Sequence, residues 1–153
     1  IDYNETFSPV STKDAFRVLM ALVAHFNLEL HQMDVKTAFL NGDLEVDIYM
    51  FQLEGFICDD KKVCKLNKSI YGLKQSSRKW NLKFDSVITR FGFEENQLDE
   101  CVYSKISGSH YISLILYVDD ILLASSNVGL LKDTKDFLMA NFDMKDMGRL
   151  IMF

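Results

Sequence analysis

The sequence predicts an α+β fold, an antiparallel sheet packed on helices. Three observations predict it. Strand-like and helix-like stretches are interspersed along the 153 residues. Two pairs of β-prone runs are joined by hairpin-length turns, Ser107-Gly108-Ser109 and Tyr117-Val118-Asp119-Asp120. One stretch, Trp80 to Phe91, repeats apolar residues at helical spacing. A chain that is 48% hydrophobic, with 12 Phe, can bury a real core, and its length fits one domain over 1–153.

The elements follow in chain order. After Pro9, Ser11 with Asp14 three residues on resembles a capping box. Ala15 to Phe26 is then helix-forming and almost entirely apolar, which predicts a buried helix. Leu28 to Val35 reads as a strand that ends on a carboxylate, Asp34. Asn41-Gly42 is a turn signal. Val46 to Gln52 is β-prone and has a pairing partner in Val63 to Leu66. Trp80, Phe84, Val87, Ile88 and Phe91 share one helix face, with Ser76 or Ser77 as cap and Gly92 at the end. The opposite face carries Arg78, Lys79, Lys83 and Arg90. Tyr103–Ile106, Tyr111–Leu116 and Ile121–Ala124 read as strands, and 127–142 as a third helix.

Composition narrows the function. Charged residues make up 25% of the chain, which is a globular rather than a disordered balance. No apolar run of about 18 residues predicts a membrane span, and no basic-then-apolar start predicts a signal peptide. Cys58, Cys64 and Cys101 lack C-x-x-C spacing and read as reduced thiols. His25, His31 and His110 make no zinc pattern with them. Net charge is −5, yet residues 61–90 hold nine Lys or Arg and one acid, Asp85. That segment reads either as a track for a phosphate backbone or as a solvated helix face.

The chemistry is carried by carboxylates. Asp119 and Asp120 interrupt two apolar runs, Ile112–Tyr117 and Ile121–Ala124, where a carboxylate needs water, a donor or a metal to offset its burial. Neighbouring side chains in extended backbone point to opposite faces, so the pair is not equivalent. The alternative is an ordinary Asp-rich turn. A strand bearing Asp34 beside a hairpin bearing two more makes an all-oxygen set suited to Mg²⁺. Two such ions about 4 Å apart stabilise the attacking and leaving oxygens of phosphoryl transfer.

Five stretches in order resemble the reverse transcriptase of copia-type LTR retrotransposons, including plant ones. They are Tyr3-Asn4-Glu5-Thr6-Phe7-Ser8-Pro9-Val10, Gln32-Met33-Asp34-Val35-Lys36-Thr37-Ala38-Phe39-Leu40-Asn41-Gly42, Ile48-Tyr49-Met50, Ser69-Ile70-Tyr71-Gly72-Leu73-Lys74-Gln75 and Leu116-Tyr117-Val118-Asp119-Asp120. The resemblance implies a palm with part of the fingers, catalysing RNA-directed addition of dNTPs to a primer. It implies Asp34, Asp119 and Asp120 as catalytic residues holding two Mg²⁺ (or Mn²⁺) ions, with the Val35 carbonyl as a further ligand. It implies Ala38, Phe39, Tyr71 and Gly72 at the dNTP, with Phe39 as a gate against the ribose 2′-hydroxyl. It implies Lys74, Arg78, Tyr117 and Val118 at the template and primer. Phe39 as plain core is the alternative reading.

The partners implied are an RNA or DNA template with its primer, dNTPs and the rest of a Pol polyprotein. The setting implied is a cytoplasmic virus-like particle. A chain opening on Ile1 and stopping at Phe153 reads as a piece of a longer polypeptide. The resemblance implies a basic fingers strand before it, and a thumb, connection and RNase H region after it. It implies protease and integrase regions of the same polyprotein outside the chain too. Ser76-Ser77 stand where the family has Ala-Pro, Asn81 where it has an aromatic, and Gly148-Arg149-Leu150-Ile151 drifts from its Gly-Glu-Leu. Two rival functions fit parts of this pattern. One is an inactive nucleic-acid-binding remnant, which needs no three aspartates. The other is a different two-metal enzyme such as a cyclase with a similar palm, which needs no gate or template loop.

Overall fold

A computed structural model describes residues 8–57 and 61–150. The motif residues Tyr3 to Phe7, together with Cys58 and Ile151, lie outside them. The apolar alternation builds two layers of core against one sheet. In chain order the elements are α1 (Lys13–Phe26), β1 (Glu29–Val35), a 3-10 turn (Ala38–Asn41), β2 (Tyr49–Phe51) and β3 (Val63–Lys65). There follow α2 (Ser76–Arg90), β4 (Glu94–Glu95), β5 (Val102–Ser107), β6 (His110–Tyr117), β7 (Asp120–Ser125), α3 (Val128–Asn141) and β8 (Met144–Arg149). The architecture is α+β. Strand order is β4-β5-β6-β7-β1-β8, every pairing antiparallel, with β2–β3 a separate two-stranded ribbon.

Strand periodicity of two sends alternate residues to opposite faces. Met33, Val35, Ile112, Leu114, Leu116, Ile121 and Leu123 face α2 and α3 and close over Trp80, Phe84 and Leu138. Leu30, Ile115, Leu122 and Ala124 face the other way, against Leu19 and Val23 of α1. The sheet therefore carries helices on both faces. By the same alternation Gln32, Asp34 and Asp120 share the α1 face.

Several local expectations change. The cap of α1 is Thr12, whose hydroxyl accepts from the Ala15 N–H at 3.1 Å. Ser11 instead donates to Asp99, whose carboxylate also takes the Thr12 N–H at 3.0 Å. The helix is not buried all round. Only Leu19 and Val23 are covered, while Phe16, Val18 and Phe26 are exposed. One face suffices to dock a helix on a sheet, and the rest is left to solvent. Neither serine caps α2 through its side chain, because Gln75 is the N-cap and makes no side-chain bond there. Ser76 is fully buried and donates to the Ile70 carbonyl at 2.5 Å while accepting from Ser69 at 2.6 Å. This departure from the family pattern is therefore a satisfied staple between loop and helix. Strands β4 and β8 were not foreseen, since neither carries an apolar alternation.

Candidate active site

Asp34 and Asp120 are direct partners across the β1–β7 pairing, so their side chains leave the same face side by side. Tyr117 and Asp120 are likewise paired across β6–β7, which leaves only Val118 and Asp119 in the turn. Val118 takes a left-handed φ of 55°, a conformation that a β-branched residue rarely adopts. The turn is held from outside. The Val35 N–H donates to the Asp119 carbonyl at 2.8 Å, and the Trp80 indole donates to the Val118 carbonyl at 2.8 Å.

The two turn carboxylates have different partners, as unequal facing requires. Tyr71 donates its hydroxyl to Asp119 Oδ2 at 2.9 Å. Gln32 donates to Asp120 Oδ1 at 2.9 Å. Burial, and then the bond and charge of Asp119, push the Tyr71 hydroxyl above its usual pKa, which keeps it a donor. Asp119 Oδ1 is buried without a hydrogen-bond partner. An oxygen desolvated that way is costly unless a donor or cation meets it. Among the described residues, no three His, Cys, Asp or Glu side chains are gathered to hold a metal ion. The donor set is nonetheless all oxygen, and the orphaned Oδ1 fits a hard divalent cation.

Phe39 stands on the 3-10 turn that follows β1. Its ring packs on Tyr71 with centroids 4.3 Å apart and 34° between planes. The loop carrying Tyr71 and Gly72 is thus tied both to the gate candidate and to Asp119. Ala38, on the same 3-10 turn as Phe39, is fully buried. Lys74 and Arg78 lie on the same loop and the first turn of α2. Tyr117 and Val118 are exposed at the hairpin tip.

The basic segment meets an acidic loop that the charge count could not reveal. Lys65 pairs with Asp47 at 2.6 Å, Lys68 with Asp43 at 2.6 Å and Lys79 with Glu45 at 2.5 Å. Lys83 is 3.8 Å from Asp43. Much of the positive charge counted in residues 61–90 is therefore compensated within the chain. On the α1 face, a cavity of about 570 Å³ runs between Arg17 and the sheet residues Gln32, Ile115, Tyr117, Asp120 and Leu122. A smaller one, about 170 Å³, lies beside Phe39, Trp80, Asn81 and Val118. Asn81 Nδ2 is buried and unpartnered there.

The sequence pattern does not reveal that Gln32 and Trp80 reach the candidate site. By sequence Gln32 is only part of a motif and Trp80 only helix core. The indole N–H was the available signal, since a buried tryptophan ordinarily finds an acceptor.

A family model described as "Reverse transcriptase (RNA-dependent DNA polymerase)" matches residues 1–153. The chain is 50% identical over 97% of its length to the retrovirus-related Pol polyprotein from transposon TNT 1-94 of Nicotiana tabacum. It is 37% identical over its whole length to that of transposon RE1 of Arabidopsis thaliana. It is 30% identical over 86% of its length to the Ty1-BL Gag-Pol polyprotein of Saccharomyces cerevisiae. The chain spans 11% of each of the two plant polyproteins and 7% of the yeast one. No solved structure matches it significantly. No helix among the described residues is long and apolar enough to cross a membrane. With ordered motifs, a matching family model and transposon Pol relatives in agreement, the chain belongs to the reverse transcriptase (RNA-dependent DNA polymerase) family, of the copia type.

Proposed function

We propose that residues 1–153 form the palm and part of the fingers of an RNA-directed DNA polymerase, adding dNTPs to a primer on an RNA or DNA template. The observation that carries this reading is the pairing of Asp34 with Asp120, beside an Asp119 whose Oδ1 is buried and unpartnered. Asp34, Asp119 and Asp120, with the Val35 carbonyl, would hold two Mg²⁺ or Mn²⁺ ions. When bound, such ions neutralise charge on the triphosphate and favour the ionised primer hydroxyl. The primer 3′-oxygen bonds to the α-phosphorus as the bond to the pyrophosphate oxygen breaks. The chain's part in that exchange is mostly positioning and charge.

Phe39 lies under the incoming sugar in this reading, braced by Tyr71. Ala38 and Gly72 border the nucleotide, Lys74 and Arg78 approach phosphates, and Tyr117 and Val118 approach the primer end. The natural setting is the rest of the Pol polyprotein, within a cytoplasmic virus-like particle. The test is primer extension on an RNA template by the whole polymerase that contains this chain. Template-dependent incorporation supports the reading. Binding without incorporation would favour the inactive remnant instead.

A further inference from the structure

We propose that Trp80 is a positioning residue for Asp119, acting through its indole N–H on the Val118 carbonyl. The inference rests on the reading of Asp119 as a catalytic carboxylate. The direction of an aspartate side chain is set by the two peptide planes that flank its Cα. At Asp119 both planes are pinned by bonds from outside the turn. The preceding one, which ends in the Val118 carbonyl, takes the Trp80 indole at 2.8 Å. The following one, which carries the Asp119 carbonyl, takes the Val35 N–H at 2.8 Å. Releasing either lets the carboxylate swing.

The preceding plane is the one under strain. Two-residue hairpin turns favour Asn or Gly at positions of positive φ. Here the residue is Val118 at φ 55°. A β-branched residue holds that conformation only when its surroundings enforce it. Trp80 is suited to enforce it, being 2% exposed and packed on Phe84 and Phe142 at centroid distances of 5.6 and 5.2 Å. Filling the core would require only an aromatic ring. The added N–H meets the carbonyl of the residue at positive φ.

The experiment measures kcat and KM for dNTP in the whole polymerase that contains this chain. Replacing Trp80 by benzothienylalanine keeps the bicyclic ring and exchanges N–H for sulfur, and Trp80→Phe is the genetic counterpart. Loss of one hydrogen bond to the turn lowers kcat by about tenfold with KM nearly unchanged. Glycine adopts positive φ without strain, so in a Val118→Gly background the same exchange costs less than about twofold. A second readout needs no activity. Trp80 is the only tryptophan among these 153 residues, and its indole resonance in the whole polymerase, assigned by its loss in Trp80→Phe, reports hydrogen exchange at this bond. Exchange much slower than in a free indole, together with weaker Mn²⁺ binding after benzothienylalanine replacement, supports the proposal. An indole that exchanges freely overturns it, as does an unchanged kcat in an active enzyme. So does an equal loss with and without Val118→Gly, which would indicate packing alone. A wild-type enzyme that adds no nucleotide overturns the functional reading, and the positioning of a catalytic group with it.

Discussion

Replacing Gly42 by Ala probes the joint between the 3-10 turn and α2. Gly42 ends the 3-10 turn that carries Phe39, and its carbonyl accepts from Ser69 N–H at 3.2 Å. Its φ is −75°, so any residue could adopt the backbone. The constraint is space. A Cβ there would lie 2.9 Å from the Lys79 Cβ and 3.3 Å from both the Lys79 carbonyl carbon and the Trp80 nitrogen. Two of those atoms are helix backbone, so either α2 or the turn must move. Overpacking of this kind costs about 1–3 kcal/mol. Reduced freedom of the unfolded chain returns about 0.4–1 kcal/mol. The net loss, about 1–2 kcal/mol, lowers Tm by about 2–8 °C in a chain of this length. Thermal unfolding followed by far-ultraviolet circular dichroism measures it. A Tm equal to or above that of the unsubstituted chain would refute the close approach.

The other predictions concern the gate and a buried cluster. Phe39→Val lowers dNTP over rNTP selectivity in the whole polymerase, measured as the ratio of kcat/KM values. If Phe39 were only core, the ratio would hold and stability would fall by about 1–4 kcal/mol. His31 Nδ1 accepts from Lys135 Nζ at 2.6 Å, and Lys135 also donates to Asp146 at 2.8 Å. Glu29 and Arg149 complete the charges around it. Burial first, then the Lys135 charge, hold His31 below its ordinary pKa of 6.5. The unfolded chain therefore takes this proton first as pH falls. Stability is full above about pH 6.5 and declines below it. His31→Gln keeps an acceptor and removes the titration, so Tm loses part of its slope between about pH 5 and 7. A slope identical in both proteins would count against the cluster.

Much of the site could be read along the chain because its chemistry is local. Asp119 and Asp120 stand out against the apolar runs on either side, and Asp34 ends a strand. The face of α2 was legible because Trp80, Phe84, Val87 and Ile88 repeat at helical spacing and are all buried. What failed depended on neighbours distant in sequence. An apolar stretch such as α1 does not reveal that the sheet covers only the stripe of Leu19 and Val23. Strand β8 has a polar sequence and exists because β1 offers it a backbone edge. The Trp80 bond reaches a carbonyl 38 residues away, and the Gln32 bond a carboxylate 88 away. Charge counting along 61–90 likewise missed Asp43, Glu45 and Asp47, which fold onto those lysines.

In the proposed function, Asp34, Asp119 and Asp120 form the centre of RNA-templated nucleotide addition. Single-turnover addition of one dNTP to a primer annealed to RNA tests it most directly. The whole polymerase that contains this chain is compared with its Asp34→Asn and Asp119→Asn variants, each checked for retained template–primer binding. The expected result is Mg²⁺-dependent addition by the unsubstituted enzyme, and addition reduced to background in both variants although binding persists. Variants that add the nucleotide at the unsubstituted rate would contradict it.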